Sequence, residues 1–227
     1  MTSNSIERLS ATFQNYLEAT PFAGKPSELY EAKNYLLTLG GKRARPIAVL
    51  AANEATDNAN TEFSLPVAWA FEIFHNFTLA HDDIMDNAPV RRGQPTAHVK
   101  WNEDTAILAG DALYAFSIGF VVKDFPQYAA PLAQAFSEVG LEVCEGQMED
   151  MDLAVGIDVS IPRYIDMIRK KTAVLLGGCM RMGGLAAGSD AELVEDMRQF
   201  GESLGIAFQL QDDLMDAYPP EGFGKQI

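Results

Sequence analysis

The sequence predicts a single all-α domain. Apolar residues recur at helical spacing along most of the 227 residues, and no stretch alternates apolar and polar residues between turn signals as a strand would. No Pro-rich or Ser-rich linker divides the chain. With 48% hydrophobic and 22% charged residues, the composition is that of a chain that builds a sizeable core. We therefore expect a helical domain that needs no sheet.

Eight helices can be placed along the chain. The segment 65–85 (LPVAWAFEIFHNFTLAHDDIM) is apolar on nearly all faces, has Pro66 near its start and lacks glycine, so it predicts a central buried helix. Ser189 and Glu192 have the spacing of a capping box, which indicates the start of the last helix. The other seven helices are predicted at 6–19, 27–39, 45–55, 105–122, 127–151, 162–183 and 190–215.

Charge and cysteine content exclude several classes of protein. The formal charge of -15 opposes attraction to phosphate backbones and anionic membranes, so we expect no nucleic-acid partner. Cys144 and Cys179 are far apart and predict neither a disulfide scaffold nor a zinc site. The most apolar stretches are interrupted by Asp111 and Arg181, so no transmembrane segment is predicted, and the N-terminus lacks the pattern of a secretory signal. We expect a cytoplasmic protein.

A DDxxD pattern occurs twice, near the ends of two predicted helices. The first and third aspartates of each copy lie on one helix face, and the middle one projects beside them. A lone copy is more often a solvated helix end, but two copies beside apolar flanks favour carboxylates neutralised by a cation. Oxygen ligands favour Mg²⁺, Mn²⁺ or Ca²⁺, and Mg²⁺ often combines one or two carboxylates with substrate phosphate oxygens. The predicted ligands are Asp82, Asp83 and Asp86 in DDIMD and Asp212, Asp213 and Asp216 in DDLMD.

Positive charge is scarce and gathers where a phosphate group could bind. Three basic residues, Lys42, Arg43 and Arg45, follow the Gly-Gly turn at 40–41, and two more follow the first aspartate cluster. Glycines let backbone approach an anion closely, and arginine offers a planar fork that matches phosphate oxygens. His75, two turns before Asp82 on the same helix face, could donate to a phosphate or be a buried histidine satisfied by a carbonyl. The candidate cations are Lys42, Arg45, Arg91 and Arg92.

Four motifs resemble, in order, those of the trans-isoprenyl diphosphate synthases, also called polyprenyl synthetases. They are GGKRARP at 40–46, HDDIMD with the following RRG at 81–93, KT at 171–172 and FQLQDDLMD at 208–216. The resemblance covers the chain from about residue 36 onward. It implies a helical bundle of the isoprenoid-synthase type around a deep central cavity, and usually a homodimer. It also implies a prenyltransferase that joins isopentenyl diphosphate to an allylic diphosphate.

The resemblance implies a role for each candidate residue. A cluster of about three Mg²⁺ ions, for which Mn²⁺ is a possible substitute, would bind the allylic diphosphate. Its ligands would be Asp82, Asp86 and Asp212, with Asp83, Asp213 and Asp216 assisting directly or through water. Arg91, Lys171 and Lys225 would bind the same diphosphate, Lys42, Arg45, His75 and Arg92 would bind isopentenyl diphosphate, and Thr172 and Gln209 would border the reacting carbons.

Product length is expected to depend on the floor of the cavity. Phe77 lies five residues before Asp82, where a bulky ring could stop a growing chain, while Thr78 at the next position is small. In the family, one aromatic at the earlier position with a short DDxxD accompanies a C20 product, and aromatics at both positions accompany C15. We therefore expect geranylgeranyl diphosphate, with farnesyl diphosphate as the alternative.

Three other functions compete with this interpretation. A class I terpene cyclase shares DDxxD and Mg²⁺ but needs no second diphosphate site, so GGKRARP and Arg92 argue against it. A non-catalytic partner subunit is disfavoured by two intact aspartate clusters. A di-iron bundle would need a second ExxH beside Glu72 and His75, which the sequence lacks. Family members continue past GFGKQ into further helices, so we expect the domain at 1–227 to be C-terminally truncated.

Overall fold

The computed structural model describes residues 3–124, 129–155 and 159–218, and it confirms an all-α architecture. Each of the eight predicted helices is present, although Gln127, the expected first residue of one of them, lies outside the described residues. The helices are α1 (Ser3–Ala19), α2 (Ser27–Thr38), α3 (Ala44–Glu54), α4 (Thr61–Met85), α5 (Ala97–Lys100), α6 (Glu103–Asp124), α7 (Ala129–Ala154), α8 (Ile161–Ile168), α9 (Val174–Ala186) and α10 (Ala191–Ala217), with a π-helix (Arg169–Ala173) between α8 and α9.

Helix α4 is the centre of the molecule, as its sequence predicts. Every residue from 67 to 74 is buried, and the helix packs against α3, α6 and α9. Trp69, Phe71 and Phe74 are among the largest fully buried side chains, and burial of each such ring contributes roughly 1.5–3 kcal/mol. The last two turns of α4 carry the first aspartate cluster. Within the described part of the chain, no helix is long and apolar enough to cross a bilayer.

Besides small shifts of helix ends and the additional short helix α5, the structure differs from the predicted elements at three points. The helix predicted at 162–183 is interrupted by the π-helix, which shifts its hydrogen-bond register. A two-stranded antiparallel ribbon, β1 (Val90–Arg91) and β2 (Gln94–Pro95), joins α4 to α5, and its turn residues Arg92 and Gly93 both have positive φ. The predicted capping box is wrong: Asp190 is the N-cap of α10, and its side chain accepts a hydrogen bond from the Leu193 amide at 2.9 Å.

Candidate active site

A cavity of about 290 Å³ lies between α4, α7, the π-helix and α10. Its lining is mainly apolar and includes Val143, Leu175 and Phe208. An apolar pocket with a few polar groups at one side is the common form of a small-molecule site. The predicted site residues in its lining are Arg45, His75, Phe77, Thr78, Asp82, Lys171, Thr172 and Gln209.

A second pocket, of about 500 Å³, adjoins this cavity and shares Arg45, His75 and Phe208 with it. The pocket lies where the loop before α3 meets α4 and the β1–β2 turn. It brings together all four residues predicted to bind the second diphosphate, which are Lys42, Arg45, His75 and Arg92. The two predicted substrate sites are therefore neighbours with a common wall.

The glycines of the GGKRARP motif shape the loop beside this second pocket. Gly40 and Gly41 have φ of +83° and +129°, which are left-handed conformations that favour glycine. A Cβ at Gly41 would lie 2.6 Å from Nη1 of Arg92, whose guanidinium donates to the Gly40 carbonyl. Arg43 also lines this pocket, but its guanidinium pairs with the buried carboxylate of Glu72 and donates to the Leu37 carbonyl at 2.7 Å. Arg43 thus has a carboxylate partner within the fold, whereas the hydrogen bond of Arg92 is to a backbone carbonyl.

Arg45 and His75 form a desolvated wall between the two pockets. Burial lowers the pKa of His75 well below its ordinary value, and the nearby charges of Arg45 and Arg92 lower it further. The imidazole is therefore neutral at pH 7 and can donate one N–H without adding charge. Burial also lowers the pKa of Arg45, whose Nε is buried without a hydrogen-bond partner. A buried and unsatisfied guanidinium N–H is costly, so a bound anion would complete this site.

The first aspartate cluster divides between the cavity and a buried ion pair. Asp82 lines the cavity, and burial raises its pKa to about 6, with Lys171 opposing the shift and Asp86 adding to it. Asp83 is buried, and its Oδ1 accepts a hydrogen bond from Nε of Arg91 at 2.7 Å. Burial raises the pKa of Asp83, and the ion pair with Arg91 opposes that rise. Asp86 is exposed beside them.

The second aspartate cluster reaches the cavity through hydrogen bonds. Asp213 accepts a hydrogen bond from the Tyr164 hydroxyl and another, at 2.8 Å, from Nε2 of Gln209. Oε1 of Gln209 accepts in turn from the Thr172 hydroxyl at 3.0 Å. Asp212 and Asp216 are not among the described residues that line the cavity. Nor does the described chain contain a group of three or more acidic, His or Cys side chains that could hold a metal ion unaided.

The π-helix presents Lys171 and Thr172 to the cavity. Nζ of Lys171 forms an ion pair with Oδ2 of Asp150 on α7, at 2.5 Å. Helix α7 approaches closely because residue 146 is glycine: a Cβ there would overlap the backbone nitrogen of Lys171. π-Helical turns inside α-helices occur frequently at functional sites. Lys225, the remaining predicted phosphate ligand, lies outside the described residues.

Phe77 forms part of the cavity wall within an aromatic cluster. Its ring centroid lies 5.5 Å from that of Phe74, 5.2 Å from that of Tyr114 and 4.8 Å from that of His81. Thr78 also lines the cavity, and its hydroxyl donates to the His75 carbonyl at 2.8 Å. The Phe77 ring is therefore held in place at the cavity wall by three neighbouring rings.

Comparison with known proteins decides the family. A sequence model described as polyprenyl synthetase matches residues 26–227. The chain belongs to the polyprenyl synthetase family. A geranylgeranyl diphosphate synthase of Methanosarcina mazei is 44% identical over 220 residues, covering 96% of this chain and 66% of the relative. A short chain isoprenyl diphosphate synthase of Methanocaldococcus jannaschii is 38% identical over 94% of this chain and 63% of the relative. The chain thus spans slightly less than two thirds of these relatives.

Solved structures agree with this family assignment. A crystal structure of a geranylgeranyl pyrophosphate synthase superposes with a TM-score of 0.92 at 42% identity, covering 99% of this chain and 68% of the other. A geranylgeranyl pyrophosphate synthetase of the archaeon Geoglobus acetivorans has a TM-score of 0.89 at 35% identity, covering 93% of this chain and 69% of the other. The bundle predicted from the sequence is therefore the polyprenyl synthetase fold.

Three residues of this polyprenyl synthetase site were missed by sequence reasoning. Asp150 forms an ion pair with Lys171, and the Tyr164 hydroxyl donates a hydrogen bond to Asp213. Gly146 leaves room for the backbone of the π-helix. Asp150 lies in an acidic run (EDMD) that reads as a solvated face, and Gly146 lies inside a helical pattern. Tyr164 lies seven residues before Lys171, which is two turns of an α-helix. This spacing is the one feature of the sequence that places Tyr164 on the helix face of Lys171.

Proposed function

We propose that the chain is the catalytic part of a trans-prenyltransferase that condenses isopentenyl diphosphate with an allylic diphosphate. The observation that carries the proposal is the pair of adjoining pockets with a common wall of Arg45 and His75. The second pocket is lined by basic residues, and the first is the mainly apolar cavity. A reaction that joins two diphosphates through their hydrocarbon ends needs this arrangement, whereas a cyclase needs one diphosphate site.

The aspartates fit a site for Mg²⁺, or for Mn²⁺ in its place. Asp82 is a desolvated carboxylate beside Asp86, and the second oxygen of Asp83 is buried without a partner. Mg²⁺ commonly takes only one or two carboxylates together with waters and phosphate oxygens, so it does not require a preassembled cage. We propose that Asp82, Asp86 and Asp212 hold about three such ions when the allylic diphosphate binds, with Asp83, Asp213 and Asp216 assisting directly or through water. When bound, the metal would supply Lewis-acid stabilisation of the diphosphate leaving group.

The remaining residues bind, orient and exclude water. Arg91 and Lys171 would bind the allylic diphosphate, and Lys42, Arg45, His75 and Arg92 would bind isopentenyl diphosphate. Cleavage of the allylic C–O bond releases diphosphate, a C–C bond forms to isopentenyl diphosphate, and a proton leaves to the released diphosphate. The apolar wall keeps water from the allylic cation, and Thr172 and Gln209 border it. No nucleophilic side chain is required.

We propose geranylgeranyl diphosphate as the product, with farnesyl diphosphate as the alternative. Support comes from the aromatic wall at Phe77, the small residue at Thr78, and similarity to proteins named geranylgeranyl diphosphate synthase. We also propose a homodimer, because α6 and α7 expose the large apolar side chains of Leu108 and Leu141. Both cysteines are unpaired, which supports a cytoplasmic location.

The test is product analysis with the purified protein, Mg²⁺ and labelled isopentenyl diphosphate, using C5, C10 and C15 allylic primers. The proposal expects a labelled C20 product that requires both substrates and disappears on chelation of the metal. A hydrocarbon formed from the allylic diphosphate alone would identify a terpene cyclase instead. Absence of turnover, restored by adding a related synthase, would identify a partner subunit.

A further inference from the structure

Tyr164 on α8 belongs to a chain of hydrogen bonds that ends at the cavity wall. Its hydroxyl donates to Oδ2 of Asp213, while Oδ1 of the same carboxylate accepts from Nε2 of Gln209 at 2.8 Å. The Thr172 hydroxyl donates to Oε1 of Gln209 at 3.0 Å. The chain therefore connects three elements, α8, α10 and the π-helix, across one side of the cavity.

The direction of each hydrogen bond in this chain follows from the chemistry of its members. An ionised carboxylate only accepts, so Asp213 must receive both Tyr164 O–H and Gln209 N–H. Once the amide nitrogen of Gln209 is committed to Asp213, its oxygen must face Thr172. This arrangement excludes the flipped amide, which would bring Oε1 of Gln209 against the Asp213 carboxylate. Tyr164 thereby determines the orientation of a polar group in the cavity that it does not itself line.

Packing gives the tyrosine ring a separate role from its hydroxyl. The ring packs in a small apolar cluster with Leu153, Met167 and Ile168, beside Leu210 of α10. Removing the hydroxyl alone leaves that cluster intact, because phenylalanine has the same ring. The hydroxyl and the ring can therefore be tested independently.

We propose that Tyr164 is a positioning residue for prenyl transfer, which acts by fixing Asp213 and, through it, the side-chain amide of Gln209 at the cavity wall. This inference rests on the proposed function for its effect on turnover, but the link between Tyr164 and Gln209 does not. It also assigns Asp213 an anchoring role, because each of its two oxygens accepts a hydrogen bond from the protein.

The first experiment measures the link without substrate or metal. In full-length protein with ¹⁵N-labelled glutamine side chains, the Gln209 amide signal is assigned with a Gln209→Glu variant. We expect this signal to shift and its hydrogen exchange to accelerate in Tyr164→Phe. The matched control is Tyr35→Phe, which removes a hydroxyl that donates to the Pro95 carbonyl, away from the cavity. An unchanged Gln209 signal in Tyr164→Phe would overturn the proposal.

The second experiment measures turnover under the conditions of the product assay. Tyr164→Phe is expected to lower kcat about tenfold, while KM for isopentenyl diphosphate stays at the control value. Combining it with Asp213→Ala should cost no more than Asp213→Ala alone. An unchanged kcat, or additive losses, would contradict the positioning role. If the wild type makes no prenyl product, the proposed function fails, and the amide signal still decides whether the link exists.

Discussion

Replacing Lys33 by methionine should stabilise the protein at neutral pH, and less so as the pH rises. The side chain is fully buried in α2, and its Nζ has no hydrogen-bond partner. The ammonium lies 3.7 Å from the ring centroid of Tyr30 and 4.0 Å from that of Phe116. Burial lowers the pKa of Lys33 from 10.5 to about 8. Methionine is similar in length, uncharged and adaptable in packing.

The size of the expected stabilisation follows from the lowered pKa of Lys33 and from its contacts with the aromatic rings. A drop from 10.5 to about 8 corresponds to about 3 kcal/mol of cost for the charged form, at about 1.4 kcal/mol per pKa unit. Desolvated cation–π contacts contribute about 2 kcal/mol in the other direction, so we expect Lys33→Met to gain about 1–2 kcal/mol at pH 7. Below pH 8, folded and unfolded chains are both protonated, and the cost is present in full. Between pH 8 and 10.5 only the unfolded chain keeps the proton, so the wild type gains stability as the pH rises.

Urea unfolding followed by circular dichroism at about pH 7, 8.5 and 10 measures this difference, since the midpoint and slope give the free energy of unfolding. The advantage of Lys33→Met should be greatest at the lowest pH and should shrink toward the highest. The matched control is Lys100→Met, which removes an exposed amine from over Tyr35 and Trp101 and should not stabilise the protein at pH 7. A destabilised Lys33→Met, or an advantage that does not change with pH, would refute the reasoning.

Three further predictions concern the cavity. Phe77→Ala should lengthen the main product, as read by chromatography of the prenyl alcohols; an unchanged distribution would place the stop elsewhere. Asp82→Asn should lower kcat about a hundredfold or more and abolish the thermal shift produced by Mg²⁺ with inorganic pyrophosphate, and a wild-type shift would remove Asp82 from the metal site. Gly146→Ala should cost about 1–3 kcal/mol in urea unfolding, because its Cβ would overlap Lys171 backbone, whereas Gly119→Ala, which meets no atom within 4 Å, should be neutral or stabilising.

Helix positions were predictable because they depend on local periodicity, and α4 is the clearest case. The π-helix was not, because one additional residue in a turn leaves the apolar pattern of 162–183 nearly unchanged while it rotates Lys171 relative to α8. The cap of α10 was misassigned by one residue because Ser189 and Asp190 are both good caps, and only the backbone path decides between them.

The residues that line the cavity were predictable from motifs, but their pairing was not. Arg91 was expected to face a diphosphate, and here it pairs with Asp83, which is eight residues earlier in the chain. Lys171 pairs with Asp150, an aspartate from another helix. The second pair depends on how α7 packs against the π-helix, and the sequence pattern contains no information on that distance.

The cations predicted to bind the two diphosphates differ in whether a carboxylate already pairs with them, and this difference predicts how each diphosphate binds. Arg91 and Lys171 both have carboxylate partners, so an allylic diphosphate must replace those partners in a chain of net charge -15. Arg45 and Arg92, which line the second pocket, form no ion pair with a carboxylate among the described residues. A thermal shift with isopentenyl diphosphate should therefore appear without Mg²⁺, while that with an unreactive allylic diphosphate analogue should require it. Equal dependence of both shifts on Mg²⁺ would show that these ion pairs do not govern substrate binding.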